Sequence, residues 1–288
     1  MKPENQAQHK IPQVYLKKFG YLAENNQWKV TVLKKGEKFT RQKSIEGFTI
    51  VTNIFDIESD DPRIPRIFEE INGELENEYN NIIGDLETNR TLTDKSCAFI
   101  LQITANLICR SDLWRKWVLG ILNHKNKENF LKIITGHFLK SDEEFNKIEQ
   151  QPFYKILVES LPEKIINRVL LYFYDHLWLR LQHYEIVIIE SQEGKPWFTS
   201  DNPIVLQNRT KKWEFLAKES EIYFPLSPKY LAYMHYPDSE DKQNNLRTYK
   251  SNQVHPASDN QNSGFQKMII RNCLEYVIVA GKFKYRKD

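Results

Sequence analysis

Trp197-Phe-Thr-Ser-Asp-Asn-Pro-Ile-Val205 decides how the last third of the chain is read. An apolar run between Glu185 and Glu190 leads towards it, and Ile204 to Leu206 leads away. Between them stand Thr199, Ser200, Asp201 and Asn202, closed by Pro203. Proline favours an extended residue before it. Asp and Asn can fold a turn by bonding their own backbone. The stretch therefore reads as a polar turn between two strands. It also reads as a hydroxyl, a carboxylate and an amide held by strand ends at the edge of a core. Further candidate strands lie at 184–190, 213–216, 222–226, 230–236 and 276–280, with a helix at 261–273. Pro225-Leu-Ser-Pro228 bounds one of them and is expected to bring Ser227 close to the Ser200-Asp201 turn. The polar segment 238–253 reads as a mobile loop and 282–288 as a basic tail.

Upstream of the strands the periodicity changes from two to 3.6. Over 64–86, Ile67, Ile71, Leu75, Tyr79, Ile82 and Ile83 mark one helical face. Glu70, Glu74 and Glu78 fall four apart on another. The spacing predicts one long helix over 96–122, almost wholly apolar between Cys97 and Cys109. Gln102, Asn106 and Arg110 break that apolar surface as a single polar stripe, and a buried guanidinium or amide needs partners. Glu70 or Glu74 on an antiparallel neighbour are the expected partners of Arg110. The pair is either structural or an anion clamp beside a carboxylate site. Arg115 and Lys116 lie between Trp114 and Trp117. That interleaving suits single-stranded nucleic acid or core tryptophans with solvated charges. Helices are also expected at 127–139, 153–159 and 163–182, and Ser141-Asp-Glu-Glu144 is a capping signal.

The chain opens on a short helix bearing Tyr15, Leu16 and Phe19, with Pro12 at its start and Gly20 at its end. Gln8 and His9 are expected just before its N-terminus, where anions are favoured and a histidine can move a proton or bind a metal. Residues 28–33 and 39–52 read as strands, and 56–65 as a connection.

The chain has 288 residues, 40% hydrophobic, with a net charge of +3. That composition can bury a large core and excludes a disordered class. It tolerates an anionic partner without the strong basicity of a dedicated DNA-binding domain. Three cysteines without paired spacing fit no zinc site or disulfide framework, and point to a reducing cytoplasm. The polar first ten residues lack the apolar run of a signal peptide, and no uninterrupted apolar run is long enough to span a membrane. A Gly-rich phosphate loop, G-x-S-x-G and H-E-x-x-H are all absent from the sequence.

Gln8-His9-x-Ile11-Pro12-x-x-Tyr15-Leu16-x-x-Phe19, then Arg110 at the end of a buried helix, Thr199-Ser-Asp-Asn-Pro203 and Pro225-Leu-Ser-Pro228 occur in that order. Together they resemble the bacterial domain of unknown function numbered 4238, over nearly the whole chain. Arg110-Ser-Asp112 departs from the Arg-Thr-Pro of that pattern at the expected end of the helix. The resemblance implies a cytoplasmic bacterial protein, with some relatives associated with defence against phage, and no established chemistry.

The expected fold is α+β: a central helical bundle beside a mostly antiparallel C-terminal sheet, joined by N-terminal strands. A single domain is expected over 1–288, with N-terminal helix and strands to 62, helices over 63–183 and a β-rich part from 184. The leading functional expectation is a metal-assisted nuclease or phosphodiesterase. In it His9, Arg110 and Asp201 are catalytic, and Asp201 and Glu74 hold Mg²⁺ or Mn²⁺ through oxygen. Gln8, Gln102, Asn106, Ser200, Asn202 and Ser227 orient or bind substrate. The alternative is a non-enzymatic module that recognises a phage component or an anionic ligand. A third is purely structural pairing of the same residues. Nucleic acid or a phage component is the expected partner, and no membrane.

Overall fold

A computed structural model describes residues 5–59, 61, 64–136, 139, 141–207, 216, 218–237 and 245–282. The N-terminal part forms β1 (Ala7–His9), α1 (Gln13–Phe19), β2 (Tyr21–Leu22), β3 (Trp28–Lys34), β4 (Thr40–Ser44) and β5 (Ile50–Thr52). The middle is helical: α2 (Ile67–Asn89), α3 (Asp94–Arg110), α4 (Asp112–Leu122), α5 (Lys127–Thr135), α6 (Asp142–Asn146), α7 (Pro152–Glu159) and α8 (Pro162–Leu181). The rest supplies β6 (Glu185–Glu190), β7 (Thr199–Ser200), β8 (Val205–Gln207), β9 (Glu221–Pro225), β10 (Tyr230–His235), β11 (Val254–Pro256), α9 (Asp259–Asn272) and β12 (Tyr276–Val279). The expected strand at 213–216 falls almost wholly outside the described residues. So do the tail after Lys282 and the part of the expected loop over 238–244.

The fold is α+β, with a helical centre and mostly antiparallel sheets. The N-terminal strands do not simply extend the C-terminal sheet. One five-stranded sheet runs β11-β6-β10-β9-β8. A second runs β2-β3-β12-β7, with β4 also on β3, so the last strand is paired with the first third of the chain. β1 and β5 form a separate two-stranded ribbon. β11 was missed because it pairs parallel to β6 over only three residues, inside a polar stretch.

A single long helix over 96–122 does not form. Ser111 takes extended backbone angles (φ −73°, ψ 137°), ends α3 and caps α4 by accepting the Leu113 N–H at 3.2 Å. Such a cap contributes on the order of 1 kcal/mol. The break turns α4 away and leaves Arg110 in the last turn of α3, beside its C-terminal carbonyls, where a cation is favoured.

Tyr15 shows how the three thirds of the chain share one core. It is fully buried, and its ring centroid lies 5.9 Å from Tyr79 of α2 and 5.7 Å from Phe224 of β9. Its hydroxyl bonds Thr199 Oγ1 and donates to the Pro225 carbonyl at 2.9 Å. Tyr79 donates in turn to the Leu226 carbonyl. The Thr199 turn and the Pro225-Leu-Ser-Pro228 segment are thus held side by side through buried tyrosines. No helix among the described residues is long and apolar enough to cross a membrane.

Candidate functional site

The Thr199–Pro203 turn is a fastening between distant segments. Ser200 Oγ donates to the Asn202 carbonyl at 2.8 Å and accepts the Asn202 N–H at 3.1 Å, which closes the turn on itself. The Asp201 carboxylate accepts three successive backbone N–H groups where α9 passes into β12: Leu274 at 2.8 Å, Glu275 at 2.6 Å and Tyr276 at 2.9 Å. Burial pushes the Asp201 carboxyl above its usual range, and those three N–H groups oppose the rise. Asn202 donates to the Asn272 carbonyl, while Asn272 returns bonds to the carbonyls of Asn202 and Ile204 at 2.9 and 3.0 Å. Asn202 Oδ1 also accepts from Ser111 Oγ at 2.9 Å, tying the turn to the break between α3 and α4.

Arg110 ties together a second set. Its side chain is 2% exposed. It donates to Glu76 Oε1 of α2 at 3.2 Å, to Asn106 Oδ1 at 3.5 Å and to the His9 carbonyl of β1. The guanidinium carbon lies 5.7 Å from the Phe55 ring centroid. Burial lowers the pKa of Arg110, and Glu76 opposes that. Asn106 continues the stripe to Asn72 Oδ1 at 2.9 Å. The partner on α2 is Glu76, neither Glu70 nor Glu74. Residues two apart on a helix point about 200° apart, so Glu74 faces away from Arg110 and is exposed.

The two sets meet at a cleft of about 890 Å³. Lys10, Lys43, Ser44, Phe48, Lys116 and Tyr276 line it, together with Arg110, Ser111, Asp112 and Asp201. Asp112 pairs with Lys10 at 2.7 Å, and Glu275, also on the rim, pairs with Lys34 at 3.0 Å. Lys43 Nζ lies 3.9 Å from the Tyr276 ring centroid and 5.5 Å from that of Phe48. Lys43 and Lys116 have no carboxylate partner among the described residues.

Of the residues singled out in the sequence, Arg110 and Asp201 line this cleft, and Asn202 joins its wall through Ser111. His9 lies in β1, not at the free end of a helix. Its backbone carbonyl holds Arg110, while its ring contacts Gln13 and the Glu46 carbonyl. Gln8 is buried and clamps the 55–56 segment, accepting the Phe55 N–H and donating to Asp56 Oδ1, both at 2.8 Å. Gln102 contacts Tyr174 of α8, whose hydroxyl burial pushes up to about 12. Ser227 caps the β9–β10 turn through the N–H groups of Lys229 and Tyr230. Glu74 does not line the cleft, and Asp201 has both oxygens bonded to backbone. Asp201 and Glu74 as placed do not fit a shared Mg²⁺ or Mn²⁺ site, and no metal-sized group of three or more His, Cys, Asp or Glu occurs among the described residues.

The lysines were missed because isolated lysines carry no spacing signal. Lys116 alone was marked, by its place between two tryptophans. Those tryptophans pack edge to face at 5.6 Å in the helical core, while Lys116 stays exposed. Arg115 turns inward to Asn167 Oδ1 at 2.7 Å.

A family profile described as protein of unknown function (DUF4238) matches residues 7–282. The chain belongs to the DUF4238 family. The match takes in the β1–β5 ribbon, the Arg110 cluster, the Asp201 turn and β12, so every wall of the cleft lies inside the DUF4238 region. No curated protein and no solved structure matches the chain.

Proposed function

We propose that this DUF4238 chain is a binding module whose cleft captures an anionic ligand, with a partner delivering the effect. The carrying observation is how charge is distributed on the cleft. Asp112, Glu275 and Asp201 are each bonded from within the protein, and Arg110 is paired with Glu76, only its buried Nε being without a hydrogen bond. Lys43, whose ammonium lies over the Tyr276 ring and acts on Glu275 without an ion pair, lines the cleft with the exposed Lys116. Neither has an ion-paired carboxylate among the described residues, and we read them as the groups that meet a ligand. A cleft of this volume falls in the range of about 300–1,000 Å³ typical of ligand sites. The test is a titration of the purified chain with fluorescent polyanions, a ten-nucleotide single-stranded DNA and a glutamate-rich peptide, at two salt concentrations. Binding that weakens with salt and falls about tenfold in Lys43→Glu/Lys116→Glu supports the reading. Retention of affinity in that variant, or no binding by either probe, overturns it.

A second reading, a metal-assisted nuclease or phosphodiesterase, is favoured by one observation: Arg110 and Asp201 line the same cleft. Incubation with total RNA and plasmid DNA, with Mn²⁺ or Mg²⁺ against a chelator, tests it. Metal-dependent cleavage would displace the binding reading. A role in defence against phage is tested by plating phage on cells carrying the wild-type chain or the double lysine variant.

A further inference from the structure

The ribbon of β1 and β5 has an uncovered edge inside the cleft. In an antiparallel ladder, residue pairs that exchange backbone hydrogen bonds alternate with pairs whose N–H and C=O groups point outward. Lys10 N–H donates to the Thr49 carbonyl at 3.1 Å, and Asn53 N–H donates to the Gln6 carbonyl at 3.0 Å. With the register Ala7↔Thr52, Gln8↔Val51 and His9↔Ile50, the bonded pair between these two is Gln8–Val51. The backbone groups of His9, Ile50 and Thr52 therefore face outward. On the β1 side, Arg110 takes the outward His9 carbonyl. On the β5 side the ribbon has no third strand among the described residues.

That free edge borders the cleft. Thr49, Ile50 and Val51 line it in succession, after Gly47 and Phe48. Neighbouring side chains of a strand point to opposite faces, so a cleft touching three consecutive residues runs along the edge and not over one face. Ile50 offers there one N–H and one C=O. The hydroxyl of Ser44, on the neighbouring wall, is buried and has no partner. A peptide backbone can both donate and accept at such an edge, whereas a phosphodiester has only acceptors. Lys43 and Lys116 supply the charge that selects acidic side chains.

We propose that the occupant of the cleft is an extended acidic peptide segment of a partner protein, added as a strand to the outer edge of β5 with its carboxylates at Lys43 and Lys116. This rests on the anion-binding reading above and names the class of ligand. Main-chain bonds then provide docking, and alternate side chains provide selection.

The experiment uses the full chain and four probes. They are a ten-residue peptide alternating glutamate with threonine, the same peptide N-methylated at alternate amides, its lysine–threonine counterpart and a ten-nucleotide single-stranded DNA. The glutamate peptide should bind, lose at least tenfold affinity in Lys116→Glu, and slow hydrogen exchange at the Ile50 N–H. N-methylation and the charge reversal should each abolish binding. Equal binding of the N-methylated peptide, or no protection at Ile50, overturns strand addition. If only the DNA binds, and does so through the lysines, strand addition fails while the anion-binding reading stands. If no probe binds a chain shown to be folded by circular dichroism, both fail.

Discussion

Two arginine–glutamate pairs among the described residues each have one sealed member, and they are built in opposite ways. In the Arg110–Glu76 pair the arginine is the sealed member, 2% exposed, while Glu76 is 30% exposed. In the Arg247–Glu221 pair the carboxylate is sealed at 0% and the arginine is 10% exposed. Glu221 accepts from Tyr223 Oη at 2.9 Å, Tyr233 Oη at 2.7 Å and Arg247 Nε at 3.3 Å. Arg110 is the donor to three oxygens, from Glu76, Asn106 and the His9 carbonyl. The first pair borders the cleft, whereas Glu221 is closed into the sheet beneath two tyrosines. A buried ion pair is therefore not in itself the mark of a site here. The anion-binding proposal rests instead on the lysine charge beside the first pair.

The sharpest test of the contrast is Glu221→Ala. It removes at once an acceptor of two tyrosine hydroxyls and of Arg247 Nε, and removing one member of a buried pair costs about 3–5 kcal/mol. Urea denaturation should show a loss of that size. Arg247→Met should cost less, because both tyrosine hydroxyls still serve the carboxylate. An equal cost would mean that the ion pair, and not the count of stranded donors, sets the stability.

The Arg110 pair should answer in the reverse sense. Glu76→Ala leaves a sealed guanidinium with carbonyl-type acceptors alone. Arg110→Met leaves a carboxylate that can reach water, at a cost of about 1–3 kcal/mol for the lost bonds. The glutamate variant should be the less stable of the two in the same denaturation series. If Arg110→Met proves the worse, the bonds to His9 and Asn106 outweigh the pair with Glu76.

The contrast also explains what could be read from the sequence. Arg110 was legible because it interrupts an apolar helical run at a spacing of four from Asn106 and Gln102. Its partner was misread because the glutamates four apart, Glu70 and Glu74, marked one face of α2, whereas Arg110 meets Glu76, about 200° round the helix from Glu74. Glu221 gave no signal. It directly precedes the apolar run 222–226 and reads as the polar end of a strand, and two of its donors, Tyr233 and Arg247, come from 12 and 26 residues away. The Thr199–Pro203 turn was legible as a turn, and Asp201 as a carboxylate needing partners. That those partners are backbone N–H groups 73 to 75 residues later could not be read, since every residue carries one. Most strands and helices followed from periodicity. The pairing of β12 with β3 did not, because register across such a separation is set by packing.

The smallest expected effect concerns His235, which stands opposite Glu221 in the β9–β10 ladder and stacks on Tyr233 at 5.2 Å between ring centroids. Burial lowers its pKa; the Tyr236 carbonyl opposes this, Arg247 adds to it, and Glu185 and Glu221 oppose it. The Glu185 carboxylate lies 3.9 Å from Nε2. With the folded pKa below the unfolded value of about 6.5, the native state holds fewer protons than the unfolded chain between those two values. Stability is then full above the unfolded pKa and declines as pH falls through that window towards the folded one. Unfolding midpoints should drop from pH 7.5 to pH 5.5. In His235→Phe, which keeps a stacking ring and removes the titration, that drop should be smaller. An unchanged slope in the variant would shift the pH dependence to carboxylates elsewhere and would leave the Glu221 cluster held by its tyrosines and arginine alone.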